Sequence, residues 1–177
     1  MASSSALLVA LLLFFISAVG SEAAAAPLEQ LCANLGGFYV TPETCTSSLC
    51  VNSSCRSARD APELATLAAG LAAANATAAK ASLEAALASS PGKGPAEALR
   101  ACLQMYGGAV PALQWAARAV AAGRHPGATA VLEAARYIAA GCAGVADGAA
   151  QLPAENEAFG ILANVAHAVV ASVSHAG

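Results

Sequence analysis

Apolar residues recur at helical spacing through most of the chain from Pro62 onward. Segments in which they return every three or four positions alternate with breaks rich in proline and glycine, and no segment alternates with a sustained period of two. This pattern predicts an all-α fold. Because there are four such segments with short breaks between them, they predict an antiparallel up-and-down four-helix bundle over residues 60–177.

The first bundle helix is predicted from Asp60, which forms an N-terminal signature with Pro62 and Glu63, to about Ala88. The break SSPGKGP then ends it. The apolar positions expected on its inner face are Leu64, Leu67, Leu71, Ala74, Ala78, Leu83 and Leu87.

The second bundle helix is predicted to begin at Pro95 or Ala96. Pro111 lies inside it and removes one backbone hydrogen bond, so we expect a kink near Gly107 and Gly108. A kink is favoured over a break because the apolar spacing continues in phase on both sides. The inner positions are Leu99, Cys102, Tyr106, Ala109, Leu113, Ala116 and Val120.

The stretch GRHPG, residues 123–127, predicts a turn into the third helix, and Pro153 opens the fourth. The third helix is expected to pack through Val131, Ala135, Ile138, Cys142 and Val145. The fourth is expected to pack through Phe159, Leu162, Ala166, Val169 and Val173.

Residues 1–20 are typical of a secretory signal peptide, with an apolar stretch from Ala6 to Val19. That stretch is shorter than the ~20 residues a membrane span needs. Small residues suit cleavage before Ser21, and cleavage as late as residue 26 is also compatible. An N-terminal anchor helix is the alternative, but no basic flank follows Gly20. No later apolar run of membrane length is free of charge and glycine, so we expect a secreted protein with no membrane association. Between the leader and the bundle, residues 27–59 are predicted to form an N-terminal arm.

Charge is sparse and scattered along this chain. Charged residues make up 11% of it, the net charge is -3, and the eight lysines and arginines occur singly. The sequence therefore offers no basic stripe, and nucleic-acid binding is not expected. Much of the 58% hydrophobic fraction is alanine, which favours helix as strongly as it favours burial.

All six cysteines follow the predicted leader, and an even set in a secreted chain predicts three disulfides. In a helical hairpin that turns at GRHPG, Cys102 and Cys142 lie at similar heights on inward-facing positions, which favours a bridge between them. Among the other four, the most local pairing is Cys32 with Cys45 and Cys50 with Cys55. Two sequons predict N-linked glycosylation at Asn52 and Asn75.

Four stretches of the chain resemble the plant invertase inhibitor and pectin methylesterase inhibitor family: LCANLGGFYVTPETCTSSL, ALRACLQMYGGAVPALQWAARAV, LEAARYIAAGCAGVADG and LPAENEAFGILANVAHAVV. The resemblance covers nearly the whole mature chain. It implies an N-terminal helical hairpin closed by Cys32 and Cys45, followed by a four-helix bundle closed by Cys102 and Cys142. Cys50 and Cys55 match neither family pair. The chain also departs from the family in having Ala-Arg-Tyr-Ile, residues 135–138, where a Ser-Ala-Ala-Leu type of segment is common.

The same resemblance implies an inhibitor, located in the cell wall, that occludes the active-site cleft of a plant pectin methylesterase or acid invertase. The invertase-inhibiting branch is associated with a Pro-Lys-Phe segment that this chain lacks, so we favour the esterase as the protein partner. A non-inhibitory interaction module of the same fold is a further alternative. Trp115 lies one position off the inner face, so burial against a neighbouring helix is as compatible as partner contact. The candidate partner-binding residues are Trp115, Arg118, Arg124, His125, Arg136 and Tyr137.

The sequence does not predict an enzyme. The three histidines lie in none of the common catalytic motifs, and cysteines expected in disulfides leave no thiol nucleophile. We expect His167 in the core or at its boundary, His125 in a turn and His175 at a frayed helix end. Four residues separate Cys50 from Cys55, a poor spacing for a zinc pair, so we expect no metal and no cofactor.

Overall fold

The computed structural model describes residues 27–51, 53–90 and 92–175, with only the backbone at His175. The predicted signal peptide and the sequon residue Asn52 lie outside these ranges. The arm contains three short helices and one 3₁₀ turn: α1 (Pro27–Ala33), the turn Leu35–Phe38, α2 (Pro42–Leu49) and α3 (Ser54–Ser57). The bundle contains α4 (Ala61–Ala88), α5 (Lys93–Ala121), α6 (His125–Ala135), α7 (Ile138–Ala146) and α8 (Ala154–His175). The all-α prediction is confirmed for this part of the chain.

Local chemistry fixes where the helices begin. At α4, the Asp60 carboxylate accepts a hydrogen bond from the Glu63 backbone N–H at 2.9 Å, as an N-cap does. The Glu63 carboxylate in turn accepts from the Arg59 side chain and backbone, and these hydrogen bonds hold the Glu63 pKa below its ordinary value. At α5, Gly92 has φ 99°, a conformation that glycine adopts without strain, and the helix begins at Lys93, slightly earlier than predicted.

The order of packing around the bundle is α4, α5, α6 with α7, and α8. Helix α4 packs against α5 and α8, while α6 and α7 both pack against α5 and α8. The arm lies on the side formed by α4 and α8. Most of the side formed by α5 with α6 and α7 therefore lies away from the arm, which approaches this side only at the start of α6 among the described residues.

The third bundle helix was wrongly predicted as continuous, because Arg136 and Tyr137 separate α6 from α7. The Arg136 N–H bonds to Glu133 O and the Tyr137 N–H to Ala134 O, which are three-residue spacings that tighten the chain. Helical bonding resumes when the Gly141 N–H donates to Tyr137 O at 2.9 Å. Helix α5, in contrast, runs without interruption through Pro111, so the expectation that this proline would not break the helix is confirmed.

Large apolar residues were placed on the correct face more often than small ones. Leu64, Leu83 and Leu113 are fully buried as expected. Ala74 and Ala78 are exposed, and the buried alanines of α4 include Ala72, Ala76 and Ala79 instead. Val145, expected on the inner face, is 47% exposed. These corrections share a cause: about half of the residues in α4 and α7 are alanine, so apolar spacing does not identify the buried face of either helix.

The six cysteines form the three pairs that the sequence favours. Cys32–Cys45 joins α1 to α2, and Cys50–Cys55 joins the end of α2 to α3, with Cα–Cα distances of 5.5 and 5.1 Å. Cys102–Cys142 joins α5 to α7, with a Cα–Cα distance of 4.8 Å. Each half of the fold is thus covalently closed, and the longest loop closed, with a sequence separation of 40, lies within the bundle.

Helix α8 is a long apolar helix of the bundle. Ala154–Ser174 has the length and hydropathy of a membrane span, as core helices of bundles also do. Its side chains pack against α4, α6 and α7, and residues 165–171 are buried without interruption. The composition of α8 is therefore explained by its place in the core.

Candidate docking surface

Trp115 is a partly exposed tryptophan on the side of the bundle opposite the arm. It lies on α5 and is 45% exposed. Its indole ring packs over Gly127 in the first turn of α6, where a Cβ atom would approach Trp115 Cη2 to 3.1 Å. The glycine leaves the ring space to lie against α6 while its outer surface faces solvent.

Arg118 lies three positions after Trp115 on α5 and is exposed, so the two side chains are neighbours on the helix surface. We call the surface formed by Trp115, Arg118 and the α6 residue Gly127 the Trp115 face. It presents an aromatic ring and a guanidinium from α5 beside a helix turn without a side chain. Tryptophan and arginine are the residue types that contribute most often to the energetic centres of protein interfaces.

Arg124 and His125 extend this region towards the end of the bundle. Gly123, at φ 72°, makes the left-handed turn after α5, and Arg124, which follows it, is exposed. His125 was predicted as a turn residue, but it is the first residue of α6, because the turn ends at residue 124, three residues earlier than expected. It is half-buried and lines a groove with Asp60 and Pro62 at the start of α4.

Arg136 and Tyr137 form a separate site at the junction of α6 and α7. Arg136 Nε donates to Asn164 Oδ1 at 2.8 Å, and Asn164 Nδ2 donates to Gly160 O at 3.1 Å. The Arg136 guanidinium also lies 5.9 Å from the centroid of the Tyr137 ring, within cation–π range. Arg136 is thus held by contacts within the protein, whereas Tyr137 is 65% exposed and free to contact a partner.

A buried polar network supports the junction from inside. Tyr106 Oη donates to Asn156 Oδ1 at 2.8 Å, and Asn156 Nδ2 donates to Ala139 O at 3.1 Å, so the network joins α5, α8 and α7. Burial raises the pKa of the Tyr106 phenol, which keeps it protonated as a donor. The sequence had placed Tyr106 on the inner face but had assigned no role to Asn156 or Asn164. The available signal was an asparagine on an otherwise apolar helix.

His167 is buried in α8, so the prediction of a core or boundary position is confirmed. Its ring meets Phe38 of the arm edge to face, with centroids 5.8 Å apart. Burial lowers the pKa of His167, the charge of Arg136 lowers it further, and Glu133 opposes the shift. The histidine is thus favoured in its neutral form, as a packing residue between arm and bundle.

The grooves are shallow rather than enclosed. One groove, of about 850 Å³, lies between the arm and the bundle end and is lined by Asn34, Arg59, His125 and Ser174 among others. All six cysteines are in disulfides, and the described residues include no group of three or more His, Cys, Asp or Glu side chains that could hold a metal.

Asn75, one of the two predicted glycosylation sites, lies half-buried on α4, on the same side of the bundle as the arm.

Of the six candidate partner-binding residues, the structure groups Trp115, Arg118, Arg124 and His125 towards one bundle end. Arg136 and Tyr137 lie apart from them.

A sequence model described as plant invertase/pectin methylesterase inhibitor matches residues 26–169. The match spans the arm, the buried Tyr106–Asn156 pair, the Trp115 face and all three disulfides. A search of the curated proteins returned no match to this chain.

Proposed function

The chain belongs to the plant invertase/pectin methylesterase inhibitor family, and from this premise we propose that it is a secreted inhibitor of a plant pectin methylesterase. Membership makes it a protein inhibitor of pectin methylesterase or invertase and not an enzyme. The choice of the esterase, the cell-wall location and the residues that contact it are the proposal.

The rigidity of the bundle supports inhibition by occlusion. Three disulfides, the Tyr106–Asn156 hydrogen bond and the long helices α4, α5 and α8 fix the backbone before any partner arrives. A preorganised surface loses little conformational entropy on docking, so more of the contact energy contributes to affinity. Such a body can cover a substrate cleft without taking part in any reaction.

The half-exposed position of Trp115 over Gly127 is the observation that carries the choice of surface. An aromatic side chain that is already fixed on one side by α6 pays little entropy to bury its other side against a partner. Arg118 beside it supplies donors for carboxylates or backbone carbonyls at the edge of a cleft. The α4–α8 side is unavailable for the same role where the arm covers it.

The choice of esterase over invertase rests on the sequence. The Pro-Lys-Phe segment associated with the invertase-inhibiting branch does not occur anywhere in the 177 residues. We therefore propose pectin methylesterase as the target enzyme, with acid invertase as the second candidate.

Parallel titrations test this proposal. The purified secreted protein is added to a plant pectin methylesterase and to a plant acid invertase, and residual activity is measured against inhibitor concentration. We expect saturable inhibition of the esterase at one inhibitor per enzyme and unchanged invertase activity. Inhibition of invertase alone would reverse the target, and inhibition of neither enzyme at micromolar concentrations would favour the non-inhibitory module.

A further inference from the structure

Asn75 is the first residue of an Asn-Ala-Thr sequon and lies in the middle of α4, beside a groove that α4 forms with α2 and α8. We propose that Asn75 carries an N-linked oligosaccharide whose first sugars lie along this groove. The proposal depends on the amide of Asn75, on the side chains around it and on the local structure of the sequon.

The side-chain amide of Asn75 differs from those of the other described asparagines, each of which donates a hydrogen bond. Asn34 Nδ2 donates to Gln30 O, Asn156 Nδ2 to Ala139 O, and Asn164 Nδ2 to Gly160 O. The Asn75 side chain makes no hydrogen bond to any residue that the structure describes, although the side chain is half-buried. A glycan on Nδ2 therefore breaks no observed contact, and its own linkage can occupy the groove.

The walls of the groove suit a sugar better than they suit water. The groove has a volume of about 250 Å³ and is open to solvent. Val51 and Ile161 line the groove with exposed fractions of 69% and 45%, so part of its apolar surface is exposed to solvent. The acetyl methyl and the apolar ring face of N-acetylglucosamine can cover this surface. Ser47 and Ser48 on the α2 side offer hydroxyls to the polar edge of the sugar.

The folded sequon indicates when the modification occurs. Ala76 is fully buried, and the Thr77 hydroxyl donates to Ala73 O at 2.9 Å within the helix, so the tripeptide is unavailable in an extended form once α4 has packed. The oligosaccharide must therefore be transferred to Asn75 before α4 folds and packs, while the chain enters the secretory pathway. Asn75 Nδ2 then bonds to C1 of N-acetylglucosamine on a lipid pyrophosphate-linked oligosaccharide. The C1–O bond breaks, the lipid pyrophosphate leaves with the electron pair, and Nδ2 releases one proton to the transferase.

The position of the glycan has a consequence that rests on the proposed function. Asn75 lies on the arm side of the bundle, opposite the Trp115 face. In the sequence, Val51, which lines the same groove, precedes the second sequon at Asn52. A glycan on Asn75 thus covers a side that docking does not use and leaves the Trp115 face open.

Glycopeptide mapping of the full chain, secreted from plant cells by its own leader, tests the modification. Trypsin cuts after Arg59 and Lys80, so the peptide over residues 60–80 separates Asn75 from Asn52. We expect this peptide to carry an N-glycan that peptide N-glycosidase removes, leaving aspartate at position 75. Asn75→Gln and Thr77→Ala should abolish it, and Thr77→Ser, which keeps the sequon, should retain it. An unmodified 60–80 peptide in both the wild type and Thr77→Ser would overturn the proposal.

A second readout tests the placement of the glycan. The inhibition constant for pectin methylesterase should agree within about twofold before and after enzymatic deglycosylation of the native protein. A change of about tenfold or more would show that the glycan borders the docking surface and would refute its placement opposite. Mapping is independent of inhibition, so a glycosylated protein that inhibits neither enzyme would refute the proposed function and leave the modification standing.

Discussion

The phenol oxygen of Tyr106 donates a hydrogen bond across 2.8 Å to Asn156 Oδ1 inside the bundle. The two residues are 50 positions apart, and their hydrogen bond joins α5 to α8 where the Cys102–Cys142 disulfide already joins α5 to α7. A hydrogen bond and a covalent bond thus fix three helices of the bundle relative to one another. Helix α6, which carries Gly127 of the Trp115 face, ends two residues before α7 and packs against α5 and α8.

Tyr106→Phe should destabilise the protein by about 1–3 kcal/mol, because it leaves the buried Asn156 Oδ1 without its donor. Urea unfolding measures the change. The control is Tyr137→Phe, in which the ring is 65% exposed, and it should stay within about 0.5 kcal/mol of the wild type. Equal stability of the two variants would mean that the buried hydrogen bond contributes nothing.

Substituting alanine for either of two helical glycines should change the stability of the protein in opposite directions. At Gly160 on α8, a Cβ atom would lie 2.9 Å from the Cβ of Ala139, so Gly160→Ala forces α7 away from α8. We expect it to cost about 1–3 kcal/mol through overpacking. Gly70 on α4 is exposed with nothing within 4 Å of such an atom, and Gly70→Ala should stabilise by about 0.5–1 kcal/mol.

Thermal unfolding of the glycine variants compares the two sites directly. If both substitutions raised the melting temperature, α7 and α8 would not approach each other as closely as the structure indicates.

Stability should decrease on acidification through the protonation of His167. Burial and the Arg136 charge hold the His167 pKa below its unfolded value of 6.5 despite the opposing Glu133, so the unfolded chain binds the proton first. The stabilising contribution is therefore complete above about pH 6.5 and is lost as the pH falls towards the folded pKa. The free energy of unfolding in urea, measured between about pH 7.5 and 5, should decrease accordingly.

The matched variants for this pH dependence are His167→Leu and His125→Ala. His167→Leu should flatten the profile, since leucine cannot bind a proton, while His125→Ala should retain the slope of the wild type. A slope that persists in His167→Leu would assign it to other groups.

A glycan introduced on the Trp115 face should block inhibition. Gly127→Asn creates an Asn-Ala-Thr sequon with Ala128 and Thr129, which places an oligosaccharide beside Trp115. We expect the glycosylated variant to lose at least about tenfold in affinity for pectin methylesterase and to recover most of it after deglycosylation. The deglycosylated sample controls for the substitution itself, and full inhibition by the glycosylated form would place docking elsewhere.

The sequence predicted the fold wherever large side chains or special backbone residues set the pattern. Phe159, Leu113 and Val169 marked inner faces correctly, and Asp60 marked the start of α4. Ala74 and Ala78 were placed wrongly, because alanine is compatible with both faces of a helix. The interruption at Arg136 was missed: the backbone there bonds at three-residue spacing and the side chain reaches Asn164 on α8, and helical periodicity reveals neither feature.

The candidate site was less predictable than the fold. Trp115 could be singled out as a large residue just off the inner face, but its half-exposed state depends on the missing side chain of Gly127 on another helix. Arg136 was expected on the surface by its charge, yet it is held by Asn164 and Tyr137. Exposure of individual side chains follows from packing between helices, which the spacing within one helix does not determine.

The inhibition constant of Trp115→Ala for pectin methylesterase tests the central claim most directly, with Tyr39→Ala as the matched aromatic control. Tyr39 lies in the arm and is 96% exposed, so it is more accessible than Trp115 but lies away from the Trp115 face. Trp115→Ala should weaken inhibition by at least about thirtyfold, the loss of about 2 kcal/mol typical of an interface centre, and Tyr39→Ala should leave it unchanged. Unaltered inhibition by a folded Trp115→Ala variant would contradict docking through the Trp115 face.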